Sequence, residues 1–312
     1  MEQSPIKPKR LPPGGTIGVI APAGKVDLND LNLGVVSLEQ AGFKVILGNH
    51  ITKTERYFAG ADRERADDLL KMMQNESVDA VFCARGGSGS ARIIPYIDEI
   101  KLHPLAEVIP PKIFVGCSDI TTLLLYLSKK HGFVTFHGPM VATQLGLTVD
   151  VVPPSPLEYL LKVLLGECIE MRAPNLTALK SGRADGILTG GCLTLLCTTI
   201  GTDYEMDTKD KLLFVEDIAE APYRIDRMLN YLKTLKKFDH IRGLIVGQMP
   251  DCSPDLLPEM ILETLSDFDF PILFSFPSGH GDALFTLPFG TPVRMDADEK
   301  AVTLLSPAVS FE

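Results

Sequence analysis

Three side chains of this 312-residue chain have the types that acyl transfer needs, and they occur in the order Ser118, Glu216, His280. A serine hydroxyl is a poor nucleophile at neutral pH and needs a neutral imidazole to take its proton. A carboxylate on the other ring nitrogen would hold the useful tautomer and stabilise the charge that develops. Ser118 lies in KIFVGCSDITTLLLYL, where an apolar run stops at a small polar cluster and restarts at once as a helix. Such a corner pushes one side chain out of the sheet edge, with helix amides beneath it. The competing reading of Ser118 is a plain N-cap. Glu216 ends the apolar run of KLLFVED, as a buried partner or an exposed strand end, and Asp217 and Glu220 compete for its role. His280 stands in FPSGHGD between Gly279 and Gly281, which leave the ring free to approach; a structural loop histidine is the alternative. His137, in TFHGP, is the rival base, and Cys117 is the rival nucleophile because a thiol beside a histidine is readily activated.

A fourth feature is the run Arg85-Gly86-Gly87-Ser88-Gly89-Ser90 after AVFCA. Its glycines allow backbone amides to close on an anion, although a tight turn would use the same residues. The GxxxxGK[ST] signature is missing and no GxGxxG occurs there, so an oxyanion site is preferred over a nucleotide site. A free C-terminal carboxylate on a substrate would need local donors, for which Arg85 is a candidate; Arg85 could equally pair with Glu216 or Asp119. Metal hydrolysis is disfavoured, because the chain has no HExxH and no close histidine pair. No cofactor is expected.

The elements that must position these residues follow from the hydrophobic periods. Strand patterns at TIGVIAPAG, FKVILGN, VDAVFCARGG, IFVGC and GFVTFHGPM alternate with helical patterns at LNDLNLGVVSLEQAG, DRERADDLLKMMQN, SARIIPYID and ITTLLLYL. This alternation predicts a doubly wound parallel sheet, and Pro95 is expected to interrupt its helix. A proline-opened helix in VVPPSPLEYLLKVLLGE would close a first domain at residues 1–168. Residues 169–182 read as a linker, and 183–312 as a smaller mixed α/β domain with ADGILTGG, LTLLCTTIG, KLLFVED, YRIDRMLNYLKTLKKF, IRGLIVGQM, EMILETLSDF and a strand-rich tail. Ligands collect at the carboxyl ends of parallel strands, where all four features fall. The order Ser, Glu, His is that of the α/β-hydrolases, yet GCSDI is not GxSxG and the acid and base lie in another domain. A triad across a domain interface is therefore expected.

Composition narrows the partners. With 45% hydrophobic and 22% charged residues, the chain is globular rather than disordered. A net charge of -10 argues against nucleic acid or an anionic membrane surface, both of which require a basic face. MEQSPIKPKRLPPGGT has no apolar segment behind its basic residues and reads as no secretory signal, and no run is as long as a membrane helix. Six scattered cysteines without metal-ligand or disulfide spacing read as reduced thiols of a cytoplasmic protein.

The segments YFAGADRERADDLLKMMQNESVDAVFCARGGSGSARIIPYID, VGCSDITTL, TFHGP, LFVEDIAEAPYRIDRML and GHGDALFTLPFG occur together, in this order. In this the chain resembles the L,D-carboxypeptidase family of serine peptidases, which includes the microcin C immunity peptidases, from about Leu11 to Leu305. The resemblance implies a Ser118, Glu216, His280 triad and an oxyanion hole from backbone amides of Gly86, Gly87 and Asp119. It also implies an amidotransferase-like first domain and a metal-free homodimer; Arg85 and Ser88 are the expected substrate-binding residues. The implied reaction removes the terminal D-alanine from a cytoplasmic murein tetrapeptide in cell-wall recycling. Inactivation of microcin C-like peptide-nucleotide antibiotics is the alternative, and a catalytically silent small-molecule binding protein is the reading from another class. The family pattern often has RGGYG, GYSD and GGNL, where this chain has Ser88, Cys117 and Cys192 in place of two tyrosines and an asparagine. Loss of the two rings is expected to reshape the peptide groove.

Overall fold

The computed structural model describes residues 4–101, 109–146, 155–253, 255–281 and 284–312, and it is a two-domain α/β structure. In the first domain, β1 (Thr16–Ile20), β2 (Lys44–Leu47), β3 (Ala80–Cys83), β4 (Ile113–Gly116) and β5 (Thr135–His137) form a parallel sheet in the order β5-β4-β3-β1-β2. The helices α1 (Leu28–Gln40), α2 (Asp62–Gln74), α3 (Ser90–Lys101) and α4 (Thr121–His131) connect them. The chain leaves β1 in one direction to reach β2 and crosses back to β3, so right-handed crossovers put α1 on one face and α2 to α4 on the other. Every residue of β3 and β4 is buried, as their unbroken apolar runs require when both faces are covered. The edge strand β2 is largely exposed.

Helix α5 (Pro156–Leu165) opens with proline in its first turn behind a capping box of Ser155 and Glu158. Residues 151–154 of the expected segment lie outside the described residues. The second sheet contains β6 (Glu170–Arg172), β7 (Thr177–Lys180), β8 (Arg183–Cys192), β9 (Lys211–Glu216), β10 (Gly243–Gln248), β11 (Ile272–Gly279), β13 (Pro292–Asp296) and β14 (Ala301–Leu304). Its order is β6-β14-β13-β8-β9-β10-β11-β7, with β8 to β11 parallel and the flanking pairs antiparallel. Helices α6 (Leu193–Thr198), α7 (Pro222–Thr234) and α8 (Leu257–Thr264) lie between its strands.

Three sequence expectations change. The stretch 169–182 is more than a linker: β6 pairs with β14 and β7 with β11, closing both sheet edges with short, half-polar strands. Pro95 does not interrupt α3, which continues to Lys101; the buried Ile93, Ile94 and Ile97 hold the face that the lost backbone hydrogen bond would weaken. Finally β12 (Leu287–Phe289) leaves the second domain and adds antiparallel to β5, Leu287 opposite His137. Leu287 and Phe289 are buried there, so the hydrophobic core spans both domains. Among the described residues, no helix is long and apolar enough to cross a membrane. All six cysteines are free.

Candidate active site

The Ser118 corner is built by backbone geometry. Cys117 is still extended, with φ -146° and ψ -170°, and is fully buried, whereas Ser118 turns to φ 60° at the head of a one-turn 3₁₀ helix (Ser118–Ile120) that runs directly into α4. A left-handed serine is uncommon and costs on the order of 1 kcal/mol or more, so the surrounding structure must enforce it. The turn lifts Ser118 to a half-exposed position while Cys117 points into the core. Burial, reinforced by the charge of Glu216, pushes the Cys117 thiol well above its usual range, which disfavours a thiolate nucleophile.

The glycine run lies against this corner. A Cβ added to Gly86 would sit 2.7 Å from Ser118 Cβ and 2.9 Å from its Oγ, so only glycine allows the backbone to come this close. The Gly86 carbonyl accepts from the Gly24 amide at 2.9 Å, which ties the loop after β3 to the loop after β1 at the point where strand order reverses. Gly87 and Ser88 are exposed. Arg85 pairs with neither Glu216 nor Asp119: its Nη1 donates to the Lys25 carbonyl at 3.2 Å, and its buried Nε has no partner.

The acid and base come from the second sheet. Glu216 ends β9, is fully buried, and accepts from His280 Nδ1 through Oε2 at 2.6 Å. This bond fixes the ring and leaves Nε2 for a reacting group. Gly279 makes the approach possible, since at φ 116° a Cβ there would lie 2.8 Å from Glu216 Oε2. Burial works against a charged His280, but the hydrogen bond and charge of Glu216 outweigh it, and the imidazole titrates above its ordinary value. Burial raises the Glu216 carboxyl, and His280 opposes that shift. The competing acids are used elsewhere. Asp217 caps α6 by accepting from the Thr194 amide and hydroxyl at 2.9 and 2.8 Å, and Glu220 pairs with Arg224 at 3.3 Å.

The two halves meet edge to edge. The Cys192 amide, at the end of β8, donates to Thr121 Oγ1 in the first turn of α4 at 3.1 Å, and Cys192 stands opposite Glu216 in the β8–β9 register. A Cβ on Gly191 of β8 would lie 2.4 Å from Thr121 Cγ2, and the His137 ring at the end of β5 packs on Phe214 of β9, so the strand ends of the two sheets adjoin. His137 is walled in by Phe214 and Phe289, with ring centroids at 5.1 and 5.8 Å, and burial drives its pKa down to about 3. It is a neutral, enclosed ring rather than an accessible base. Of the three departures from the family pattern, only Ser88 faces solvent; Cys117 and Cys192 are buried and cannot reshape a groove by direct contact.

Sequence reasoning missed Gly24 and the bond between Asp119 and Ser90, whose carboxylate and amide meet at 2.8 Å. The position of the β1 loop at the strand-order reversal could have pointed to Gly24; nothing local predicts the second. Asp282 lies outside the described residues. Among the described residues one further cluster could in principle hold a cation: His50, Asp67 and Asp68, two strands away at the β2 margin. Its carboxylates are engaged already, Asp68 with the His50 ring and amide and Asp67 with Lys71. A cleft of about 400 Å³ opens at the far end of α4 among Lys129, His131 and Leu188, and contains none of the candidate residues.

Residues 17–138 match the LD-carboxypeptidase N-terminal domain and residues 185–295 the LD-carboxypeptidase C-terminal domain. The probable murein peptide carboxypeptidase of Bacillus subtilis (strain 168) is 41% identical over 310 residues, covering 96% of this chain and 94% of that protein. The microcin C7 self-immunity protein MccF of Escherichia coli is 27% identical over 346 residues, 100% of this chain and 99% of that protein. Wild-type MccF without ligand has a structure similar to this one, with a TM-score of 0.89 at 25% identity over 98% of this chain and 100% of that chain. The muramoyltetrapeptide carboxypeptidase of Oxalobacter formigenes gives a TM-score of 0.78 at 28% identity over 93% and 97%. With both domain types present in order and the relatives aligned nearly end to end, this chain belongs to the LD-carboxypeptidase family of peptidases.

Proposed function

We propose that this peptidase is a metal-independent serine carboxypeptidase that hydrolyses the L,D-peptide bond to the terminal D-alanine of a murein tetrapeptide. It would act in the cytoplasm, as a homodimer, during cell-wall recycling. The observation that carries the reading is the 2.6 Å bond between His280 and buried Glu216, at the end of a sheet that meets the Ser118 corner through the Cys192–Thr121 contact. Ser118 Oγ attacks the scissile carbonyl while His280 Nε2 takes its proton, and Glu216 stabilises the imidazolium and keeps Nδ1 protonated. The amides of Gly86, Gly87 and Asp119 receive the oxyanion, and His280 then returns the proton to the amine of D-alanine. Water hydrolyses the acyl-enzyme by the same route. Arg85 and the Ser88 loop receive the substrate carboxylate, a role that fits a guanidinium with no carboxylate partner among the described residues.

Inactivation of a microcin C-like conjugate is the second reading, favoured by the higher structural similarity to MccF; sequence identity favours the murein reading. Turnover of tetrapeptides carrying diaminopimelate or lysine, with and without sugar, beside a peptidyl-nucleotide conjugate, separates the two. Release of D-alanine from the free tetrapeptide and none from its C-terminal amide is the expected result. Equal rates on both would show an endopeptidase or amidase instead.

A further inference from the structure

The glycine run is held at three points, and the last reaches the residue after Ser118. Its first hold is the Gly24 amide on the Gly86 carbonyl. Its second is Arg65, fully buried, whose Nη1 donates to the Gly89 carbonyl at 2.8 Å and to the Pro22 carbonyl at 2.6 Å. The third is reciprocal: the Ser90 amide donates to Asp119 Oδ2 at 2.8 Å, and Ser90 Oγ donates to the Asp119 carbonyl at 2.6 Å. Ser90 is fully buried and Asp119 is 7% exposed, so neither bond competes with bulk water. A carboxylate at the first turn of α3 also meets the positive end of that helix, which strengthens the hold.

We propose that the Asp119 carboxylate and the Ser90 hydroxyl are positioning groups: they clamp the Arg85–Gly89 loop to the serine corner and thereby set the distance between the loop amides and Ser118 Oγ. The inference rests on the serine mechanism above. Because the Gly86 backbone already touches Ser118, any relaxation of the clamp moves the loop relative to the nucleophile. Gly87 and Ser88 are exposed and Arg85 partly so, whereas Ser90 and Asp119 are buried, so substrate meets the loop without meeting the clamp. Loss of the clamp should therefore act on kcat far more than on KM, which Arg85 and Ser88 on the same loop would change only slightly. A displacement of roughly 1 Å in a catalytic group can cost about a hundredfold.

The test compares Asp119→Ala, Asp119→Asn and Ser90→Ala with wild type for tetrapeptide kcat and KM, labelling rate by a fluorophosphonate, and thermal unfolding. The fluorophosphonate reports on Ser118 and the loop amides whatever peptide the enzyme prefers. Asp119→Ala should lose about 10- to 100-fold in kcat and in labelling rate with KM within about twofold, and Asp119→Asn, which keeps an acceptor for the Ser90 amide, should recover most of it. Ser90→Ala, which deletes only the hydroxyl bond, should lose about 3- to 10-fold and carries the test if Asp119→Ala does not fold. Unchanged kcat in folded Ser90→Ala, no recovery in Asp119→Asn, or a loss entirely in KM would overturn the clamp. Undiminished labelling of Ser118→Ala would overturn the serine mechanism itself, and the clamp with it. Normal labelling without tetrapeptide turnover would correct only the substrate; the labelling rates of the variants would then decide the clamp.

Discussion

The two halves of the site are made by different physics. On the β4 side Ser118 is positioned by backbone: an unusual φ, a glycine whose missing Cβ lets a loop touch it, and a mesh of amide and carbonyl bonds. On the β9 side Glu216 and His280 are positioned by each other, through one 2.6 Å bond between a fully buried carboxylate and a partly buried imidazole. The first arrangement tolerates side-chain changes nearby and fails when backbone shape changes. The second depends on charge, and therefore on pH, because a buried carboxylate with one oxygen unpartnered relies on the His280 ring and backbone to offset its desolvation.

That contrast can be broken most directly at Ser118. Ser118→Ala should lower kcat by about 10⁴- to 10⁶-fold while leaving peptide affinity and Tm near wild type, and His280→Ala combined with it should be scarcely worse, as expected of residues that act as one unit. Steady-state kinetics with isothermal titration of the product peptide would check both. Retained turnover in Ser118→Ala would end the serine assignment.

Glu216→Gln should fold and bind, but lose roughly a hundredfold to ten-thousandfold in kcat. It should also move the pH profile. In the proposed mechanism the base is neutral imidazole, so activity should fall as pH drops through the His280 pKa, which Glu216 holds above the ordinary 6.5. Without the carboxylate, desolvation is opposed only by the lesser charge effect of Asp217, and the acid limb should shift to lower pH. A limb that stays in place would show that another group titrates, and a loss seen in Glu220→Gln or Asp217→Asn instead would move the acid.

Gly279→Ala sharpens the comparison, because it asks a backbone question of the side-chain half. A methyl there meets Glu216 at a φ unfavourable for any L-residue, so stability should fall by about 1–3 kcal/mol and kcat with it. Thermal and urea unfolding would measure the first effect. The smallest change is expected at Cys117→Ala, which should keep kcat within a few-fold and lose about 1 kcal/mol of packing. A folded but inactive Cys117→Ala would contradict the buried, extended geometry of that residue.

Much of the frame was legible from residue order. Period-two and period-3.6 patterns mark the parallel strands and the helices of both domains but not β6, β7 or β12, and four polar clusters at strand ends mark the candidate site, since amphipathic period and capping chemistry depend on neighbours along the chain. The place of Ser118 immediately before the helix, with Cys117 still in the strand pattern, favours the serine over the thiol from sequence alone. The same local signals misjudged Pro95, where buried isoleucines outweigh one lost hydrogen bond.

What only tertiary structure decided is whatever depends on partners distant in sequence. The β10–β11 register shifts twice between Ile245 and Gln248, with Ser275 at φ 61°, and this irregular pairing sets Gly279 opposite Gln248 and carries His280 over Glu216. No periodicity encodes a bulge, and a shift of one residue would turn alternate side chains to the opposite face. Likewise β12 joins the first sheet, Arg85 turns away from both acids, and Asp119 finds Ser90 across 29 positions. Sequence determined which residues could do the chemistry. The fold decided which of them meet, because register and sheet-edge contact are settled by packing free energy summed over the whole core rather than by any residue's local preference.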